Sequence, residues 1–279
     1  MRTQLECYPC LVRQTLDILR ISKASEEKQQ RVMQAVLGEL AIFDPRRSPP
    51  EMAYRIHQIV CRETGNRDPY LAAKRQSTRE ALTWYAELKA KVAEAADPLE
   101  TAVRISIAGN IIDAAISLEY DLQQTLKRVL TQPFAIEVFD QFKNALAKAR
   151  QIVFLADNAG ETVFDRVLIE TLGKPVTYVV KGGPILNDAT AADARAAGIE
   201  KVATVIDNGS DAPGTILDFC SAGFRHLLAH AELVIAKGQA NYETFGGIGA
   251  PVFLLLQVKC PVVARDLGVP VTSIVFTQR

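Results

Sequence analysis

Glycine is spread so unevenly along this chain that it constrains the fold before any motif is read. Of the 16 glycines in 279 residues, only Gly38, Gly65 and Gly109 precede residue 150. Tight connections between strands and helices need glycine, and helices avoid it. The first half is therefore expected to be helical and the second α/β, with domains spanning residues 1–149 and 150–279.

The periodicity agrees with this division. Cys10–Ile21, Ser25–Ile42, Ser48–Thr64, Asp68–Ala96 and Pro98–Leu118 carry apolar residues at spacings of three and four. The breaks fall at Asp44-Pro45, Pro49-Pro50, Gly65-Asn66 and Asp97-Pro98, where turn and cap chemistry puts them. In the second half, apolar runs alternate with helical segments. The expected strands are Gln151–Ala156, Val176–Val180, Val202–Ile206, Leu233–Ala236, Val252–Leu256 and Val271–Phe276. Several are apolar almost throughout, as strands covered on both faces of a parallel sheet are. This pattern implies a doubly wound, mostly parallel sheet with its ligands at the carboxyl ends of the strands.

Bulk properties remove several classes of partner. With 32 basic and 32 acidic residues, no general attraction to nucleic acid or an anionic membrane is expected. Residues 250–258, the most apolar stretch near the C-terminus, are too few to span a bilayer. Five cysteines scattered over the whole length do not form a disulfide framework, and with no apolar leader visible a cytoplasmic location is expected.

Four polar, glycine-rich loops follow the first four strands. They are Asp157-Asn158-Ala159-Gly160-Glu161, Lys181 to Asp188, Asp207 to Gly214 and Lys237 to Glu243. Taken singly, each reads as turn chemistry, with Asp188 as a helix cap. Together they suit a hard cation. Asp157, Asn158 and Asp188 offer the oxygen ligands that Mg²⁺ or Mn²⁺ accept. An ion held by three protein oxygens keeps positions open for water and a substrate phosphate. Lys237 suits a phosphate clamp, and the amides of residues 159–162, opening a helix, suit its oxygens. A dinucleotide G-x-G-x-x-G and a Walker A loop are both absent. An aspartyl-phosphate route wants a second acid two residues after its nucleophile, where Ala159 stands. Direct attack by metal-activated water is preferred.

These motifs resemble the damage-control phosphatases, the domain-of-unknown-function-89 family, and most closely its prokaryotic branch with an N-terminal Cys-x-x-Cys. The matching residues are Cys7-Tyr8-Pro9-Cys10, Asp68-Pro69-Tyr70, Gly109 to Asp113, Asp157 to Glu161, Asn187-Asp188, Asp211 to Gly214 and Lys237 to Glu243. The resemblance implies a helical N-terminal domain packed on a Rossmann-like sheet. It implies one divalent cation (Mn, Mg, Co or Ni) on Asp157, Asn158 and Asp188, and Lys237 at the substrate phosphate. Asn110 and Asp113, on one helix face, match the helical domain's contribution to the cleft. Asn187, Ser210 and Glu243 complete the candidate substrate-binding set, and Asp157, Asp188 and Glu161 are the candidates for general base. The implied activity is hydrolysis of small phosphomonoesters, either sugar phosphates or damaged phosphometabolites. Carboxyl methylation, proposed for a eukaryotic relative, finds no methyl-donor loop here.

Cys7 and Cys10 supply half of a zinc site, or an accessory metal site, or a wall of the cleft. His57, four residues before Cys61, shares a helix face with it and reads first as an interior or surface histidine. Two rival readings therefore stand beside the phosphatase: a metabolite- or nucleotide-binding protein without turnover, and a zinc or redox protein centred on Cys7 and Cys10. Spacing alone names neither the ion nor the oligomeric state.

Overall fold

The computed structural model describes residues 1–112, 122–246 and 249–279. Among these residues, seven helices come first: α1 (Cys7–Ile21), α2 (Glu26–Ile42), α3 (Pro49–Thr64), α4 (Leu71–Ala93), α5 (Pro98–Ile112), α6 (Leu122–Thr131) and α7 (Phe139–Lys148). Strands and helices then alternate through β1 (Ile152–Leu155), α8 (Thr162–Leu172), β2 (Val176–Val180), α9 (Ala191–Ala196) and β3 (Thr204–Asp207). They continue through α10 (Ala222–Ala229), β4 (Val234–Lys237), α11 (Gly238–Thr244), β5 (Val252–Gln257), α12 (Pro261–Leu267) and β6 (Ile274–Gln278). Among the described residues, no helix is long and apolar enough to cross a membrane.

Local chemistry explains the boundaries. Glu51 reaches back to accept a 2.8 Å bond from the Ser48 amide, closing a capping box before the prolines that start α3. Two expected strands are displaced. The third begins at Thr204, because residues 199–201 form a turn of 3₁₀ helix first. The sixth begins at Ile274, because Thr272 adopts φ +74° in a turn. The fourth helix starts at Leu71, after Asp68-Pro69-Tyr70 has made a turn.

The strands form one sheet in the order β3-β2-β1-β4-β5-β6, parallel except for β6, which pairs antiparallel with β5. All of β1 and β5 is buried, whereas edge strand β3 exposes Thr204 and Asp207. The chain leaves β1 toward β2 and returns on the other side at β4. The two diverging connections open a crevice at the carboxyl ends of β1 and β4, where a doubly wound sheet binds its ligand.

Apolar side chains from both sides of residue 150 share one core. Leu88, Ile105, Phe142 and Phe164 pack with Phe154, Tyr178, Phe253 and Phe276 on one face of the sheet. The other face gathers Val153, Leu155 and Leu254 with Phe224 and Val263. Helices α1 to α3 surround a third cluster that includes Leu19, Val36 and Met52. Gly109 lets α5 press onto α8, since a Cβ there would sit 2.8 Å from the Cβ of Phe164. That close approach carries the next residue, Asn110, fully buried, to the carboxyl end of β1, where it meets Asp157.

Candidate active site at the switch point

Main-chain pairing assembles the site. The turn after β1 runs antiparallel to the segment leading into α9, with Asn158 opposite Asp188. The Ala189 amide donates to the Asp157 carbonyl at 2.8 Å, and the Ala159 amide to the Asn187 carbonyl at 2.9 Å. Two loops more than twenty residues apart are thereby locked together, and Asp157, Asn158 and Asp188 line one cleft of about 470 Å³. Asn187, Glu243, Cys7 and Cys10 line it as well.

Behind this lining lies a buried charge network. Asn110 Nδ2 donates to Asp157 Oδ2 at 2.7 Å and to Glu161 Oε2 at 3.0 Å. Asn158 Nδ2 donates to the same two oxygens at 2.9 and 3.0 Å. Lys237, fully buried, donates to Glu161 Oε1, to Asp165 Oδ1 at 2.8 Å and to the Ser106 carbonyl at 3.0 Å. Ser106 Oγ and the Tyr178 hydroxyl complete Asp165, at 2.8 and 2.7 Å. On the far side, Lys181 stands 3.5 Å from Asp188 Oδ2 and donates to the Gly214 carbonyl.

The electrostatics are those of crowded, dehydrated acids. Burial, reinforced by the charges of Glu161 and Asp188, holds the Asp157 carboxyl well above the usual range. Burial lifts Asp188 to about 6 against the pull of Lys181, and it lifts Asp165 as well. Burial also opposes the charge of Lys237, but Asp165 and Glu161 outweigh it, and its pKa lies above the ordinary lysine value. Glu243 is pushed up to about 7 by burial, with Gln239 donating to its Oε1 at 2.9 Å.

The donor set fits a hard divalent ion. Among the described residues, Asp188 Oδ2 and Asn110 Oδ1 are buried with no hydrogen-bond partner, and the surplus of carboxylates invites a positive charge. Among the described residues, no three His, Cys, Asp or Glu side chains form a metal cage by themselves. The candidate set depends on the asparagine between its two aspartates.

Other expected residues lie elsewhere. Glu161 is fully buried beneath Asp157, with both carboxylate oxygens occupied by Lys237, Asn110 and Asn158. Ser210 accepts from the Ala212 amide at 3.2 Å, while its carbonyl accepts from Gly182. It braces the loop after β3 and is not among the residues lining the cleft. Of the loop amides assigned to a phosphate, Ala159 and Thr162 are spent on main-chain acceptors. Asp113 lies outside the described residues. His57 is buried in α3, with Nε2 3.3 Å from Cys61 Sγ.

Sequence reading missed Asp165, and it missed Lys259 and Cys260 as cleft residues. The rule that located the other loops would have found the last two, since both follow β5 at its carboxyl end. Asp165 left a weaker signal: an acid one turn after Glu161, on a helix whose other inner positions, Thr162 apart, are apolar.

Residues 3–275 match the family model described as the damage-control phosphatase ARMT1-like domain. A damage-control phosphatase of Pyrococcus horikoshii is 32% identical, over 99% of this chain and 97% of its own. One from Archaeoglobus fulgidus is 36% identical over 80% of each, and an uncharacterized protein of Methanocaldococcus jannaschii is 33% identical over 98% and 94%. The crystal structure of a DUF89 family protein from Pyrococcus horikoshii superposes with a TM-score of 0.90 at 30% identity, covering 100% of this chain and 99% of that one.

Proposed function

The chain belongs to the ARMT1-like damage-control phosphatase family, and on that premise we propose that it hydrolyses small phosphomonoesters with the help of one divalent cation, Mn, Mg, Co or Ni. The observation that carries the proposal is the convergence of Asp157, Asn158 and Asp188 on a single cleft at the switch point.

Asp157, Asn158 and Asp188 would hold the ion, which when bound supplies positive charge against the phosphoryl oxygens and a water of lowered pKa. The chain's own residues prepare that position. Asn110 and Asn158 both donate to Asp157 Oδ2, fixing the carboxylate plane before substrate arrives. Lys237 balances Glu161 and Asp165, so three acids persist within one buried region without expelling one another. Asp157 and Asp188, in the cleft wall, are better placed than buried Glu161 to take a proton from attacking water. Leu11, Pro50, Ala53 and Val262 line the same cleft and give the organic part of a small phosphorylated metabolite an apolar surface.

The test is phosphate release from a panel of sugar phosphates and other small phosphomonoesters, with each of the four ions added to chelator-treated protein. Release from at least one substrate that depends on added ion is expected. Absence of release from every member would sink the proposal in favour of a binding protein without turnover.

A further inference from the structure

Two of the three histidines in the chain stand together, away from the cleft. His226 and His230, four residues apart at the C-terminal end of α10, are both exposed. Their rings meet with centroids 4.3 Å apart, tilted by 41°. Phe224 and Leu228 anchor the inner side of the same helix in the core. Because α10 lies between two strands of the parallel part of the sheet, it runs back against them, and His230 stands just before β4 begins at Val234. The pair therefore sits toward the amino ends of the strands, the edge opposite the cleft.

The contacts of His230 fix its tautomer. Its Nδ1 lies 2.8 Å from the His226 carbonyl oxygen. A carbonyl only accepts, so Nδ1 carries the hydrogen, and the neutral ring keeps its lone pair on Nε2. Metal-ligating histidines are held in this way: the second ring nitrogen donates to a backbone carbonyl, which orients the ring and raises the basicity of the ligating nitrogen. The end of the helix adds to this, since its last carbonyls carry partial negative charge that favours a cation. Residues four apart on a helix share one face. With metal–nitrogen bonds of about 2.0–2.1 Å, two such imidazoles can hold one ion after a small rotation of the rings.

We propose that His226 and His230 form a second cation site, for a divalent ion that prefers imidazole: Ni²⁺, Cu²⁺ or Zn²⁺. It is a two-ligand site with water in the remaining positions, in keeping with the lack of any three-membered His, Cys, Asp and Glu group among the described residues. The inference goes beyond the phosphatase reading and does not depend on it. The two sites sort ions by ligand type. Carboxylate and carbonyl oxygens in the cleft suit Mg²⁺ and Mn²⁺, whereas the imidazole pair on α10 passes those over in favour of the later ions. Nickel and manganese should therefore bind in different numbers.

The experiment uses full-length protein without a purification tag, freed of metal by chelator. Calorimetry with Ni²⁺ and with Mn²⁺ is compared for wild type, Asp157→Ala, His226→Ala and His230→Ala. Wild type is expected to take up one more equivalent of Ni²⁺ than of Mn²⁺. That extra equivalent should persist in Asp157→Ala. In either histidine variant its affinity should fall by at least about 10-fold, because the second ligand no longer binds within the same molecule. Mn²⁺ binding and Mn²⁺-dependent phosphate release should be unchanged in both histidine variants. Wild-type Ni²⁺ stoichiometry and affinity in His226→Ala and His230→Ala overturns the inference. So does loss of the extra equivalent in Asp157→Ala, which would place it in the cleft. If wild type hydrolyses nothing, the phosphatase reading fails on its own account, and the Ni²⁺ titrations still decide whether the histidine pair holds an ion.

Discussion

Asn110, on α5 of the helical half, donates a 2.7 Å hydrogen bond to Asp157 Oδ2 at the end of β1. One amide group thereby couples the helical layer to the acid at the centre of the candidate site. The same nitrogen reaches Glu161, so the asparagine orders two carboxylates at once. Removing it in Asn110→Ala leaves both carboxylates a donor short. Phosphate release should fall by about 10- to 100-fold, the usual effect of losing a group that orients a metal-binding side chain. Fold stability should fall by about 1–3 kcal/mol, measured by urea unfolding. Wild-type turnover in Asn110→Ala would show that the bond is incidental.

Lys237 is the countercharge of the buried network. Lys237→Met leaves Glu161 and Asp165 unpaired in a dry interior, and breaking such a pair costs about 3–5 kcal/mol. A double variant, Lys237→Met with Asp165→Asn, should regain part of that loss, because one orphaned charge is removed with its partner. Denaturant midpoints of the three proteins test this. Equal destabilisation in single and double variants would mean that the two residues do not act on one another.

Much of this architecture was legible in the sequence, for identifiable reasons. Strands such as β1 and β5 were expected near their observed places, because strands covered on both faces are nearly continuous apolar runs, as in Val252–Gln257. The starts of β3 and β6 were not, since a short 3₁₀ turn and a positive φ at Thr272 depend on local geometry that apolar patterning does not encode. Asp157, Asn158 and Asp188 stood out as candidates because strand-end position and residue type agree, and the three line one cleft. The partners of Lys237 were not: a lysine after a strand looks the same whether it faces solvent or three acceptors from two helices. Nor did periodicity reveal that Gly109 permits the α5–α8 contact that delivers Asn110.

Gly238 makes a sharper test of how closely the site is packed. Its φ is +79°, and a Cβ built there falls on the Asp157 carboxylate. Gly238→Ala must therefore both strain the backbone, by about 1–2 kcal/mol, and displace Asp157. Turnover should be lost while the protein still folds, with circular dichroism and melting temperature as the control. An active Gly238→Ala would contradict the placement of Asp157 against α11.

Histidine 57 should leave a signature in the pH dependence of stability. Burial drives its pKa down from 6.5 to about 4, against the opposing charges of Asp68 and Asp211. The folded state therefore resists protonation that the unfolded state accepts. The stability associated with the neutral ring is fully present above pH 6.5 and is lost as pH falls toward 4. Asp188, raised to about 6, works with the opposite sign over the same interval, because its folded form binds the extra proton. The informative quantity is thus the difference between wild type and His57→Gln. Relative to that variant, wild type should lose about 2–3 kcal/mol between pH 7 and pH 4. Parallel stability curves for the two proteins would rule out a buried neutral His57.

Cys7 and Cys10 line the cleft together with Cys260, and burial raises the pKa of both thiols, which disfavours thiolate chemistry. Cys7→Ser should keep phosphate release within a few-fold of wild type. Loss of all activity in Cys7→Ser would instead favour a site centred on the cysteines.

The most direct test of the central claim is the rate of phosphate release as Mn²⁺ is titrated into chelator-treated protein, for wild type and Asp157→Ala. Wild type should be silent without the ion and recover saturably as it is added. Asp157→Ala should stay at least about a hundredfold slower at every concentration, because a ligand is lost and not merely its support. Full activity in Asp157→Ala, or in chelator-treated wild type before any ion is added, would contradict the assignment of a metal-dependent phosphatase site to Asp157, Asn158 and Asp188.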